Sequence, residues 1–441
     1  MDIIKDYRYT VDKYFIHLPM TINYKSTDFI SVNDIALKYI ANRDDMHIIG
    51  LDRGERNLVY VSVIDMHGNI IKQKNYNIIN GVDYKSKLKD RENARDKARK
   101  DWKEIGKIKE LKEGYLSLVV HEIAEMMVEY NAIIVMEDLN NGFKRGRFKV
   151  ERQVYQKFET MLINKLNYLV DKNKKVDEDG GLLRGYQLTY VPKKLEELGR
   201  QCGFIFYVPA AYTSKIDPTT GFVNIFKDVA MNDVEFITKF DSIKYDNVRN
   251  MFALKFDYKN FVTHNVTMPK NEWTIYTNGS RIRREYSNGK WNKTREVWLT
   301  EEMIEVLDSY RIDYMEGQDV LEQIMNLDDR EIKAVCKEVK NLIKLITQMR
   351  NSKSDNEDPD YDKIVSPVLN DDNKFFDSSD NSNGKYPENA DANGAYCIAL
   401  KGLYEVRKIR ENWSDSMDFP RETLKIKHYD WFDFIQNKRY L

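Results

Sequence analysis

Two short apolar runs, Ile48-Ile49-Gly50-Leu51 and Ala132-Ile133-Ile134-Val135-Met136, each end on a carboxylate, Asp52 and Glu137. A short run without polar alternation suits a strand buried on both faces, which belongs inside a sheet covered by helices. Around the first run, 46–52, 57–65 and 69–76 read as three strands. Arg53-Gly54-Glu55-Arg56 and His67-Gly68-Asn69 link them, so an antiparallel meander is expected.

Downstream of the meander the pattern turns helical. Residues 84–112 hold twelve Lys/Arg against six Asp/Glu and no proline, and Glu/Lys pairs recur at helical spacing. That pattern predicts a long exposed helix. A second helix over about 113–130 carries Leu116, Val119, Val120, Ile123, Met127 and Val128 on one face, and the strand 132–137 comes directly after it. Beyond a basic loop, 142–149, Val154, Phe158, Met161, Leu162, Leu166 and Leu169 mark an amphipathic helix over about 150–171. Asp177 to Gly181 reads as a polar turn and 204–208 as a further strand. A meander, then helices alternating with parallel strands, is the order of a ribonuclease-H-like α/β fold: a mixed sheet with flanking helices.

From about 210 the composition changes. Residues 211–388 mix short strands, a basic hairpin-like segment from Arg281 to Arg295, helices near 300–350 and an acidic, Ser/Asn-rich stretch, 351–386, that reads as loop. A last helix covers about 391–412. The stretch 211–388 reads as an inserted α+β domain whose two ends lie close together. Residues 1–45 offer only β-like runs (Tyr14-Phe15-Ile16, Met20-Thr21-Ile22) within polar linker, and there is no internal repeat.

The net charge of −1 advertises no nucleic-acid partner, so the local distribution of charge has to be read instead. Cys202, Cys336 and Cys397 stand in no zinc spacing and read as reduced thiols. The first residues lack the apolar centre of a signal peptide, and no uncharged stretch approaches the ~20 residues of a membrane span. A soluble, cytoplasmic protein is expected.

Asp391 lies in Asn389-Ala390-Asp391-Ala392-Asn393-Gly394-Ala395-Tyr396, where a turn opens a helix. Two acids at strand ends and one at a helix start can converge on Mg²⁺, a cation that takes hard oxygen ligands. Such a centre suits phosphodiester hydrolysis by two ions. Taken singly, Asp52 and Glu137 are ordinary strand ends and Asp391 is a helix cap or first-turn acid; the joint pattern carries the reading. The excess of about +6 on 84–112 fits a phosphate-facing surface or a solvated helix, and Trp102 on so polar a helix needs an apolar pocket. In Phe143-Lys144-Arg145-Gly146-Arg147-Phe148-Lys149, aromatics among cations suit single-stranded nucleic acid, with Lys144, Arg145, Arg147 and Lys149 as backbone contacts, or form an ordinary exposed loop. An actin-like ATPase would need a second glycine-rich phosphate loop after 132–137, and none is present.

Ile49-Gly50-Leu51-Asp52-Arg53-Gly54-Glu55-Arg56-Asn57-Leu58, Met136-Glu137-Asp138-Leu139-Asn140 and Asp391-Ala392-Asn393-Gly394-Ala395-Tyr396 resemble the three RuvC motifs of the type V-A CRISPR effector nucleases. Similar to the same family are Lys5 to Thr10 with His17-Leu18-Pro19, Gln153 to Glu159, Thr213 to Phe222, and Gln348-Met349-Arg350-Asn351-Ser352. The resemblance runs in order over essentially the whole chain and covers the C-terminal third or so of that family's usual length. It implies the end of a wedge domain at 1–45, RuvC segments at 46–83, 113–210 and 389–441, a bridge helix at 84–112 and a Nuc domain at 211–388. By the same resemblance, Asp52, Glu137 and Asp391 are the metal-binding catalytic triad for two Mg²⁺ or Mn²⁺ ions. Arg350 is then the Nuc arginine that assists cleavage, Trp102 the tryptophan that docks into the recognition lobe, and Lys5 a guide-processing lysine. The implied partners are DNA (single-stranded and guide-displaced strands), a CRISPR guide RNA, and a recognition lobe lying upstream of Met1 or on another chain. The implied products carry 5′-phosphates, and the implied setting is a prokaryotic cytoplasm. In such effectors guide pairing, not the protein, reads the target sequence. A catalytically silent, partner-dependent binding fragment is the alternative.

Overall fold

A computed structural model describes residues 16, 31–53, 57–100, 108–138, 149–192, 199–226, 229–261, 268–287, 290–315, 317–353, 358, 361–380, 384–414 and 419–440. The chain divides into two compact units, 1–31 and 32–441. All the described helices and strands belong to the second.

This unit opens with α1 (Val32–Ala41), then β1 (His47–Asp52), β2 (Tyr60–Ile64) and β3 (Ile70–Asn75). The small hairpin of β4 (Ile78–Ile79) and β5 (Val82–Asp83) leads into α2 (Tyr84–Lys100) and α3 (Ile108–Glu129). Next come β6 (Ala132–Asp138), α4 (Lys149–Asn167), β7 (Gln201–Cys202) and β8 (Ile205–Pro209). Six of these strands form one sheet in the order β3-β2-β1-β6-β8-β7. The meander β1-β2-β3 is antiparallel, whereas β6 runs parallel to both β1 and β8. The mixed sheet with flanking helices is thus present.

The next stretch builds separate sheets. After α5 (Asp233–Ile237), β9 (Phe240–Asp246), β10 (Met251–Asp257) and β11 (Glu272–Tyr276) make a three-stranded antiparallel sheet. Phe226, Phe236, Phe240, Phe256 and Phe261 cluster with ring centroids 4.9–5.8 Å apart, mostly in the edge-on packing that aromatic quadrupoles favour. A hairpin of β12 (Ser280–Ser287) and β13 (Lys290–Trp298) precedes α6 (Leu299–Ser309), α7 (Val320–Met325) and α8 (Asp329–Ile346). Three further strands come after α8: β14 (Arg350–Ser352), β15 (Asp362–Leu369) and β16 (Phe375–Asp377). The chain returns to the large sheet through α9 (Ala390–Asn412) and closes with α10 (His428–Gln436).

Three sequence expectations need correction. Residues 351–386, expected as loop, contain β15 and β16 and the end of β14, because Ile364, Val365 and Val368 are buried despite their polar flanks. Residues 32–41, expected as linker, form α1, whose Ala36, Leu37 and Ile40 are fully buried. The helix predicted to start near 113 begins at Ile108, so 108–112 belong to α3 rather than to the basic helix before it.

Helix α9 lies across the sheet with its side chains buried from Ala390 to Leu403. Three glycines allow the approach. A Cβ on Gly50 would fall on the carbonyl of Ala395 and come within 2.6 Å of the Ala399 amide nitrogen. One on Gly402 would strike Val135 and reach 3.0 Å from Ile48 Cγ2. One on Gly394 would strike the Asp52 carboxylate.

Candidate active site

Strand alternation does most of the positioning. Successive side chains point to opposite faces of a sheet, so residues two apart share one. Ile48 and Gly50 lie under α9, and so does Val135 on the neighbouring strand. Asp52 and Glu137 continue those two rows, one step beyond the parallel register pair Leu51↔Met136. Both carboxylates therefore emerge on the α9 face at the same level. Asp391 arrives from the first turn of α9, whose cap Asn389 accepts the Ala392 N–H at 2.8 Å.

Asp52 feels the convergence most. Burial pushes its carboxyl well above the usual carboxylate range, and the charges of Glu137 and Asp391 push it further. The Arg350 guanidinium and the backbone N–H of Arg53 oppose that rise. Asp391 is 1 % exposed. Its Oδ1 accepts Arg350 Nη2 at 2.8 Å, and its Oδ2 accepts both the backbone N–H of Asn57 at 3.2 Å and Asn57 Nδ2 at 2.6 Å. Glu137 is half-buried, and its Oε1 accepts the Thr213 hydroxyl at 2.6 Å. The guanidinium of Arg53 donates to the Glu137 carbonyl at 3.2 Å, tying the ends of β1 and β6 together.

Arg350 is held in turn. It makes a two-pronged pair with Asp362, Nε to Oδ1 at 2.9 Å and Nη2 to Oδ2 at 2.6 Å. Burial alone would lower its affinity for a proton, but Asp362 and Asp391 more than offset that and keep it firmly charged. Behind the site Lys401, on α9, donates to the carbonyls of Pro209 and Ala211, each at 2.6 Å. Burial pushes its ammonium down to about 8, against the pull of Glu137.

The family comparison gives this geometry a name: the RuvC nuclease domain family matches residues 26–440. The chain belongs to that family. It is a nuclease by membership, and the mixed six-stranded sheet with its flanking helices is consistent with that ribonuclease-H-like family. RuvC nucleases generally work with divalent metals.

Three carboxylates with no soft ligand among them are the donor set that a hard divalent cation takes. Their mutual repulsion, visible at Asp52, is what such a cation relieves. The side chains nevertheless stand in an arginine-paired arrangement: among the described residues no three His, Cys, Asp or Glu side chains form a ready cage for an ion.

Four sequence-predicted residues thus meet, Asp52, Glu137, Asp391 and Arg350. Lys5, Trp102, Lys144, Arg145 and Arg147 lie outside the described residues, and Lys149 is described only as the first residue of α4. Asn57, Thr213, Asp362 and Lys401 belong to the site without having been singled out. Asn57 and Thr213 did sit inside family-like stretches, whereas Asp362 and Lys401 carried no local signal. No helix among the described residues is long and apolar enough to cross a membrane.

Proposed function

We propose that this chain is the nuclease half of a type V-A CRISPR effector, hydrolysing DNA phosphodiester bonds with two Mg²⁺ or Mn²⁺ ions. Asp52, Glu137 and Asp391 would hold the ions, and Arg350 would meet the scissile phosphate. The observation that carries this reading is the convergence of three carboxylates from remote segments on one largely buried locus, with a single guanidinium paired to one of them. When bound, divalent ions supply a hydroxide-like nucleophile near neutral pH and neutralise charge on the leaving oxygen. The protein's share is positional. The paired strand ends set the spacing of Asp52 and Glu137, Thr213 steadies Glu137, and Asp362 aims Arg350.

The finer assignments belong to the same proposal. The basic stretch from residue 84 up to the start of α3 serves as bridge helix, 211–388 as Nuc domain, and guide RNA with a recognition lobe supplies the target. Support comes from the basic α2 and from the separate sheets between β8 and α9. The test is cleavage of single-stranded DNA in Mg²⁺ or Mn²⁺, with chelator controls. Cleavage that depends on the ion and leaves 5′-phosphates is expected; activity unaffected by chelation contradicts it.

One observation favours a second reading, a catalytically silent fragment that works only with its partner: Arg350 occupies Asp391 and no ready cage stands among the described residues. Adding the recognition lobe and guide RNA separates the two. Guided cleavage after the addition supports a split enzyme, whereas DNA binding with no cleavage even then supports the silent fragment.

A further inference from the structure

The two oxygens of Asp391 have different partners, and the difference traces back to a backbone amide. Oδ2 takes both donors of Asn57, while Oδ1 takes Arg350. The Asn57 side chain is itself held, because its Oδ1 accepts Asn77 Nδ2 at 2.6 Å. Asn77 Oδ1 accepts the Leu58 N–H at 3.2 Å. A backbone N–H can only donate, so Asn77 must turn its oxygen to Leu58 and its NH₂ to Asn57. Asn57 must then present its oxygen to Asn77 and its NH₂ to Asp391. A flip of either amide would face two donors or two acceptors against each other. The polarity of the whole relay, from Leu58 to Asp391, is therefore fixed by the chain direction just before β2.

We propose that Asn57 and Asn77 are a positioning pair that commits Asp391 Oδ2 to the protein and leaves Oδ1 as the one oxygen offered to a divalent cation. This rests on the reading of Asp391 as a metal ligand. Outer partners that orient a ligating carboxylate typically change metal affinity or activity 10–100-fold when removed. A pair serving stability alone would lower the melting temperature without touching metal affinity.

The experiment measures Mn²⁺ binding to the whole chain by calorimetry, alongside the melting temperature of the metal-free protein. The variants are Asn57→Leu, Asn77→Leu, the double variant and Asp391→Ala. Asn57→Leu is expected to weaken Mn²⁺ binding about 10-fold or more, with cleavage restored at saturating Mn²⁺. Because the two amides act in series, the double variant should bind Mn²⁺ no worse than Asn57→Leu does. Should Asn57→Leu fail to fold, Asn77→Leu is read the same way, with a smaller shift in the same direction. Unchanged Mn²⁺ affinity in a folded variant, or losses that simply add in the double variant, overturns the proposal. The positioning role and the metal assignment beneath it fail differently. If Asp391→Ala abolishes Mn²⁺ binding and the asparagine variants do not weaken it, only the positioning role falls. If Asp391→Ala binds like wild type, the metal assignment falls first.

Discussion

Arg350 Nη2 lies 2.8 Å from Asp391 Oδ1, so the strand β14, which comes just after α8, reaches back into the acidic site. The same guanidinium is braced by Asp362, so its reach is set by the β14–β15 register, Ser352↔Asp362 and Arg350↔Ile364. Arg350 and a cation would compete for one oxygen. Arg350→Ala is therefore expected to cut cleavage by roughly 10²–10³, the usual loss for one preorganised donor, while binding Mn²⁺ at least as tightly as wild type. Titration of Mn²⁺ against both proteins checks the sign, and weaker binding in Arg350→Ala contradicts it.

Two glycines under α9 should respond differently to a methyl group. At Gly50 the added Cβ meets helix backbone, which cannot move aside, so Gly50→Ala should lose about 3 kcal/mol or more in denaturant unfolding. At Gly394 it meets the end of the Asp52 side chain, which can rotate away. Gly394→Ala should therefore stay folded and lose cleavage by about 10²-fold, the scale of a misplaced reacting group.

Glu405 gives a pH signature independent of the nuclease chemistry. It is fully buried on α9, neither side-chain oxygen has a hydrogen-bond partner among the described residues, and burial raises its carboxyl well above 4.5, against Arg200 and Lys401. With the folded value above the unfolded one, its contribution is intact below about pH 4.5 and is lost as pH rises toward the folded value. Glu405→Gln should then melt several degrees above wild type at pH 7–8, and the gap should close near pH 4. A gap that is constant with pH would show that the carboxyl does not hold its proton.

The sheet and the acids at its strand ends were legible because the information is local: an apolar run, a carboxylate, a turn. Helix α9 was legible for the same reason, from the turn around Asn389 that opens it. Asp362 was not, since its role exists only through pairing with Ser352 and Arg350 across an acidic stretch that looks like loop. Lys401 reads in sequence as an ordinary helix lysine, and only the fold places the carbonyls of Pro209 and Ala211 around it. Helix α1 stayed hidden because its three buried residues find cover from α9, far along the chain. Short elements that owe their form to distant packing leave little trace in their own composition.

If Asp52, Glu137 and Asp391 form one ion-dependent cleaving centre, removing the Asp52 carboxylate should silence it. With labelled single-stranded DNA, recognition lobe and guide RNA in matched Mn²⁺ reactions, wild type should cleave and Asp52→Ala should show no cleavage above the chelated control. Cleavage by Asp52→Ala at the wild-type rate would contradict the assignment.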